Sequence, residues 1–154
     1  VPGACPLLLH YAFESFALAR YNLPADLWLT HSGAWSKHSN PGAIAAEVMV
    51  HLDGNGGARP AGALVDRLSV KGGRSDLFHA PNVGACYRDG RGSFRRDGNS
   101  TAGKLELTPL LDHLVRRGDV SPDHHLASVE LGNELMGGLG TTWVVPSFVR
   151  DAPL

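Results

Sequence analysis

The stretch AAEVMVHLD, residues 45–53, alternates without a slip. Ala46, Val48, Val50 and Leu52 fall on one side of an extended chain, and Glu47, Met49, His51 and Asp53 on the other. A helical period would scatter both sets, so the segment reads as a strand with one face toward a core. DGNGG, residues 53–57, then closes it as a turn. A strand cannot stand alone, because its backbone donors and acceptors need neighbours. The rest of the chain must therefore supply a sheet.

It supplies several candidates. ADLWLT (25–30) places Ala25, Leu27 and Leu29 on one face and Asp26, Trp28 and Thr30 on the other. HSGAWSKHSNPG (31–42) is turn chemistry, ALVDRLSV (63–70) and SDLFHA (75–80) read as strands around KGGR, and ACYRDGRGSFRRDGN (85–99) is strand material broken by glycine and too charged for a deep core. HLASVELGNEL (125–135) and TTWVVPSFV (141–149) follow. One helix interrupts them, over about 109–117: Thr108 suits its N-cap, Pro109 its first turn, Arg116 and Arg117 its last, and Gly118 its end. Residues 110, 111, 114 and 115 make its apolar stripe. LLLHYAFESFALAR, within residues 1–20, is ambiguous and fits an amphipathic helix. Strands in succession with one late helix predict an all-β fold, an antiparallel sandwich or jelly roll, rather than βαβ units.

Composition narrows the function. With 154 residues one domain is the default, and 43% apolar against 19% charged residues argues against disorder. The 19 glycines and 10 prolines suit many tight turns. A net charge of −1 with scattered Lys and Arg leaves no footprint for nucleic acid. No apolar run reaches the roughly 20 residues of a membrane helix, and ACPLLLHYAF has no basic region ahead of it that would make it an export signal. Cys5 and Cys86 are as compatible with a disulfide as with two free thiols. None of the eight His has ligand spacing, and His124-His125 reads as a surface turn, so no metal or other cofactor is expected. DGNGGARPAG lacks the Lys-Ser/Thr of a phosphate loop, and no G-x-S-x-G elbow is present.

The chemistry-bearing residues are carboxylates on the polar faces of strands: Asp26, Glu47, Glu130 and Glu134. Same-face residues of neighbouring strands lie within contact range. If the strands carrying Glu47 and Glu134 are close, the two acids flank a groove. Paired carboxyls are the equipment of glycoside hydrolysis, with roughly 5–5.5 Å between them in retaining enzymes. Asp26 is a third acid placed to separate their protonation states. Gly132 marks a close approach, of sugar beside Glu134, or a bulge. Trp28 and Met49 flank the acids, and an exposed Trp28 would stack on sugar. The plain alternatives are solvated glutamates and a Trp28 packed under a loop.

From about Tyr21 onward the chain resembles the family 12 glycoside hydrolases. YNLPADLWLT is similar to that family's strand bearing an aspartate near the nucleophile, AEVMVHL to its nucleophile strand, and GARPAG with SVKGGRSDLFHA to the turn and strands that follow. LELTPLLDHLVRRGDVSPDHHLASVELGNELMGG resembles its helix and acid/base strand, and TTWVVPSFV its closing strand. The resemblance implies a jelly roll and an endo-β-1,4-glucanase acting on cellulose or a related β-glucan by retaining double displacement. Glu47 would be the nucleophile and Glu134 the acid/base, with Asp26, Trp28, Met49, His51, Glu130 and Gly132 binding substrate or supporting the pair. No cofactor is implied, and the family is exported.

The departures are specific. His51 stands where the family carries a Trp, Ala46 is smaller than usual, and Leu23-Pro24 replaces residues that continue a strand, although Pro suits only a strand edge or start. Residues 1–20 are unmatched, so residues 21–154 read as a jelly roll incomplete at its N-terminus, resembling the C-terminal portion of the enzyme. A separate N-terminal fragment is then the implied protein partner, and the chain alone is expected to be marginally folded and weakly active without it. The alternatives are a non-catalytic carbohydrate-binding sandwich and a non-functional fragment of a disrupted glucanase gene.

Overall fold

The computed structural model describes residues 7–17, 20–31, 41–54, 60–70, 73–80, 91–96, 102–135 and 141–151. Ten strands and one helix follow in order: β1 (Leu8–Ala17), β2 (Tyr21–Thr30), β3 (Ile44–Gly54), β4 (Ala63–Val70), β5 (Gly73–Ala80), β6 (Arg91–Arg96), β7 (Ala102–Glu106), α1 (Thr108–Arg117), β8 (His125–Leu131), β9 (Glu134–Leu135) and β10 (Thr141–Asp151). They form two sheets. The small one runs β10-β1-β7; the large one runs β4-β5-β6-β3-β2-β8, with β9 also on β2. All ladders are antiparallel except β3–β6, which is parallel.

The two sheets share one core. Leu9, Tyr11 and Phe13 of β1 and Leu105 of β7 cluster with Tyr21, Leu23, Ala25, Leu27 and Leu29 of β2 and with Ala46, Val48, Val50 and Leu52 of β3. These are the apolar sets of the two-residue alternation, so a β-sandwich follows directly from the pattern. The segment that fits a helix on sequence, Leu8–Ala17, is instead the middle strand of the small sheet, with partners near residues 102–106 and 141–151. The glycine-broken basic segment supplies β6, which lies inside the large sheet between β5 and β3. Cys5 and Cys86 lie outside the described residues.

Helix α1 packs Leu110 and Leu114 into the same core, with Leu111 and Val115 against it. Its N-cap is Leu107, not Thr108. The Thr108 hydroxyl accepts from the Leu7 N–H at 2.7 Å instead, tying the start of β1 to the helix. At the other end Gly118 takes φ +80°, a conformation that glycine adopts without a Cβ clash. The Gly118 and Asp119 N–H groups then close on the Val115 and Leu114 carbonyls, both at 3.0 Å. The polar side of the helix is clasped to the β4–β5 end of the large sheet. His113 Nε2 lies 3.1 Å from Asp66 Oδ2, which accepts from Arg117 Nη1 at 3.5 Å. Arg117 Nε also reaches Asp119 at 2.8 Å, and His79 Nδ1 lies 3.7 Å from Asp119. No helix among the described residues is long and apolar enough to cross a membrane.

Candidate active site

The non-core faces of β2, β3, β8 and β9 gather the acids. Asp26 of β2 stands between Met49 of β3 and Glu130 of β8. One same-face step along, Trp28 stands between Glu47 and Ser128. In the other direction Pro24 faces His51, and Asn22 faces Glu134 of β9. Asp26, Glu47, Met49, Glu130 and Trp28 are thus neighbours. Glu134 is not beside Glu47 along the ladder: their partners Asn22 and Trp28 are six positions apart on β2. Along a straight strand that is roughly 20 Å.

Both ladders of β2 are interrupted twice, around Trp28–Thr30 and, next to Glu134, around Pro24. On the β3 side Leu23 pairs with Asp53 while Pro24 pairs with His51, leaving Leu52 as the extra residue of a bulge. On the other side Gly132 and Asn133 separate β8 from β9. Pro24 sits at the junction. It has no N–H to give, and its carbonyl accepts from Gly132 N at 2.9 Å. A proline inside an interior strand is tolerated here because regular pairing lapses on both sides of it, not because it lies at an edge or strand start. Bulges bend a strand and increase its twist, so Leu52, Pro24 and Gly132–Asn133 mark a crease running across three strands.

The bulge also changes which way β3 faces. One extra residue inverts the alternation beyond it. Asp53, grouped on sequence with Glu47 and His51, is therefore paired with the core-facing Leu23, and its Oδ2 accepts from the Tyr21 hydroxyl at 2.7 Å in buried surroundings. Next to Tyr21, Asn22 turns to the acid-bearing face, is 2% exposed, and donates its Nδ2 to Glu134 Oε2 at 2.8 Å.

Gly132 is a site of close approach, but the group approaching is a protein carboxylate. A Cβ there would overlap Asp26 Oδ2 and touch Pro24 at 3.4 Å. The space read on sequence as room for sugar is filled by Asp26. Trp28 is 6% exposed, so it is no open stacking platform, and Glu47, Met49 and His51 are buried as well. Glu130 is half-buried and accepts from the Ser128 hydroxyl at 3.0 Å, which suits a supporting rather than a reacting carboxyl. Glu134 is half-buried too. His124 is half-buried and His125 exposed, with the His124 ring edge-on to His31 at 5.0 Å. Among the described residues no group of three or more His, Cys, Asp or Glu is arranged to hold a metal.

Comparison of the backbone with solved structures gives the fold its place. The chain superposes on the family 12 xyloglucanase of Bacillus licheniformis with a TM-score of 0.83, over 97% of this chain and 63% of that one, at 22% identity. The fold is that of the family 12 glycoside hydrolases. A metagenome-derived family 12 endoglucanase superposes with a TM-score of 0.77 at 28% identity, over 97% and 63% of the two chains. An endoglucanase of Rhodothermus marinus gives 0.74 at 24%, over 97% and 64%. The chain thus spans under two thirds of the length of these structures. No sequence-family model matches the chain, and no curated protein does. The family 12 fold therefore rests on backbone geometry.

The residue that the sequence reading passed over is Asn22. It is neutral and sits inside an apolar strand, so nothing in its chemistry drew notice. Its one signal is parity, since it shares a face with Asp26 and Trp28.

Proposed function

We propose that this chain carries the catalytic face of a β-glucan hydrolase that cleaves internal β-1,4-glucosidic bonds with retention of configuration. The observation that carries this reading is the crease. Six positions on a flat ladder would keep Glu47 and Glu134 too far apart to act on one bond. We infer that the sheet bends toward its acid-bearing face at Leu52, Pro24 and Gly132, which would turn Glu47 and Glu134 toward each other across a groove. The family 12 fold supports the same reading, since solved structures with that fold include xyloglucanases and endo-1,4-β-glucanases.

In this mechanism Glu47 attacks the anomeric carbon while Glu134 protonates the leaving oxygen. Glu134 then takes a proton from the water that releases the sugar. Asp26, one same-face step from Glu47 and held in place over Gly132, steadies the nucleophile. Met49 and Trp28 pack around the acids as their supports, and His51 lines the groove beside Pro24. β-Glucan is the substrate class, and an exported protein is the setting that suits a polymer substrate.

The test is reducing-sugar release from a soluble β-glucan by the wild-type chain and by Glu134→Gln. Release by the wild type alone supports catalysis. Equal release, or binding without release, moves the reading to a non-catalytic carbohydrate-binding sandwich.

A further inference from the structure

We propose that Asn22 is a positioning residue for Glu134, fixing which of its two carboxyl oxygens carries the catalytic proton. This rests on the acid/base reading of Glu134 above. A carboxylate oxygen accepts, so the side-chain amide must turn its nitrogen toward Glu134, and Nδ2 stands 2.8 Å from Oε2. With Oε2 occupied by that N–H, the proton of the acid form belongs on Oε1, the oxygen left for substrate.

The surroundings hold this geometry. Asn22 is 2% exposed, and its backbone is fixed between Gly54 of β3 and Glu134 of β9. The preceding residue is pinned by the buried Tyr21–Asp53 hydrogen bond across the bulge. Asn22 is thus placed by the same irregularity that creases the sheet. In the first chemical step the Oε1–H bond breaks and its proton passes to the glycosidic oxygen. That oxygen keeps the electron pair of the broken C–O bond, while Glu47 forms the new bond to the anomeric carbon. Glu134 is left as a carboxylate still held by the Asn22 N–H. In the second step water gives a proton back to Oε1 as its oxygen attacks the anomeric carbon and Glu47 departs.

The experiment compares wild type, Asn22→Asp, Asn22→Ala and Glu134→Gln, each as the full chain, on a soluble β-glucan and on 2,4-dinitrophenyl β-cellobioside. The dinitrophenolate leaves without protonation, so in the first chemical step, which kcat/KM reports, acid catalysis matters only for the glucan. Asn22→Asp is nearly isosteric and keeps the packing if Asn22→Ala does not fold. The expected result is a loss of kcat/KM on glucan of roughly 10–100-fold at neutral pH, with less than about threefold loss of kcat/KM on the aryl substrate. Two adjacent carboxyls resist ionising together, and donation to Oε2 now requires the new carboxyl to be protonated. The basic limb of the Asn22→Asp glucan profile therefore moves down by about one pH unit. Equal losses on both substrates with an unmoved pH profile would make Asn22 merely structural and overturn the proposal. So would unchanged kinetics in Asn22→Asp while Glu134→Gln is inactive on glucan. A wild type that cleaves no glucan, or a Glu134→Gln variant that cleaves it equally, overturns the reading of Glu134 and this assignment with it.

Discussion

The large sheet handles charge in opposite ways at its end and at its centre. At the β4–β5 end, Asp66 is met by His113 and Arg117 and Asp119 by Arg117, on side chains that are in part exposed. Arg67 and Asp76 add an ion pair at 3.2 Å, the arginine side chain 59% exposed. At the centre, Glu47 and Asp26 are buried on a strand face, and their positions are set by ladder register, a bulge and a glycine. The first arrangement uses opposite charges to seat a helix, and several partners share each contact. The second depends on backbone geometry, so small steric changes there have large consequences. Charge pairing in the clasp serves docking, whereas ladder register and the Gly132–Asp26 approach set the buried acids at the centre.

The contrast is sharpest in activity. Replacing Glu47 or Glu134 by Gln is expected to lower kcat on β-glucan by roughly a thousandfold or more, and neither change should lower the melting midpoint appreciably. Clasp variants should leave kcat in place. The next largest effect lies beneath the clasp, where Leu114→Ala empties a buried site in the shared core. It should cost about 2–5 kcal/mol in a urea melt, far more than any change to the ion pairs above it.

Gly132→Ala probes the crease itself. The added methyl must displace the Asp26 carboxyl or the backbone, at a cost of about 1–3 kcal/mol, and the glucanase rate should fall with stability. If Gly132→Ala keeps both, Asp26 is not held where the crease places it.

The smallest effect belongs to Asp66. The Arg67 backbone N–H, with His113 and Arg117 nearby, holds its carboxyl below the usual carboxylate range. A depressed folded-state value stabilises the fold above the unfolded-state pKa of about 3.9 and loses that contribution as pH falls through the lower folded value. Asp66→Asn should therefore lower the melting midpoint slightly at pH 6, and the deficit should shrink below about pH 4. A deficit that grows on acidification contradicts the clasp.

What was legible in the sequence was whatever has a short period. The alternations of residues 25–30 and 45–52 predicted both strands and their core faces, and Gly118 marked the end of the helix. Long-range pairing was not legible. Leu8–Ala17 is apolar enough for either period, and its partners lie between 90 and 143 residues away, so local pattern left helix and strand open where the small sheet needs a strand. Asp53 was put on the wrong face because the bulge that inverts it depends on Pro24 in another strand. Gly132 signalled close packing correctly, but a single sequence does not say that the neighbour is Asp26. Asn22 escaped notice because its importance comes from its hydrogen bond to Glu134, 112 residues on.

The central claim is that the crease brings Glu47 and Glu134 to one glycosidic bond as a nucleophile and an acid/base. The most direct measurement is proton NMR of the anomeric signals during hydrolysis of a soluble β-glucan by the full chain. The β-anomer is expected to accumulate first and to mutarotate afterwards, and Glu134→Gln is expected to abolish the signal. First appearance of the α-anomer, or β-anomer formed equally by the variant, would contradict it.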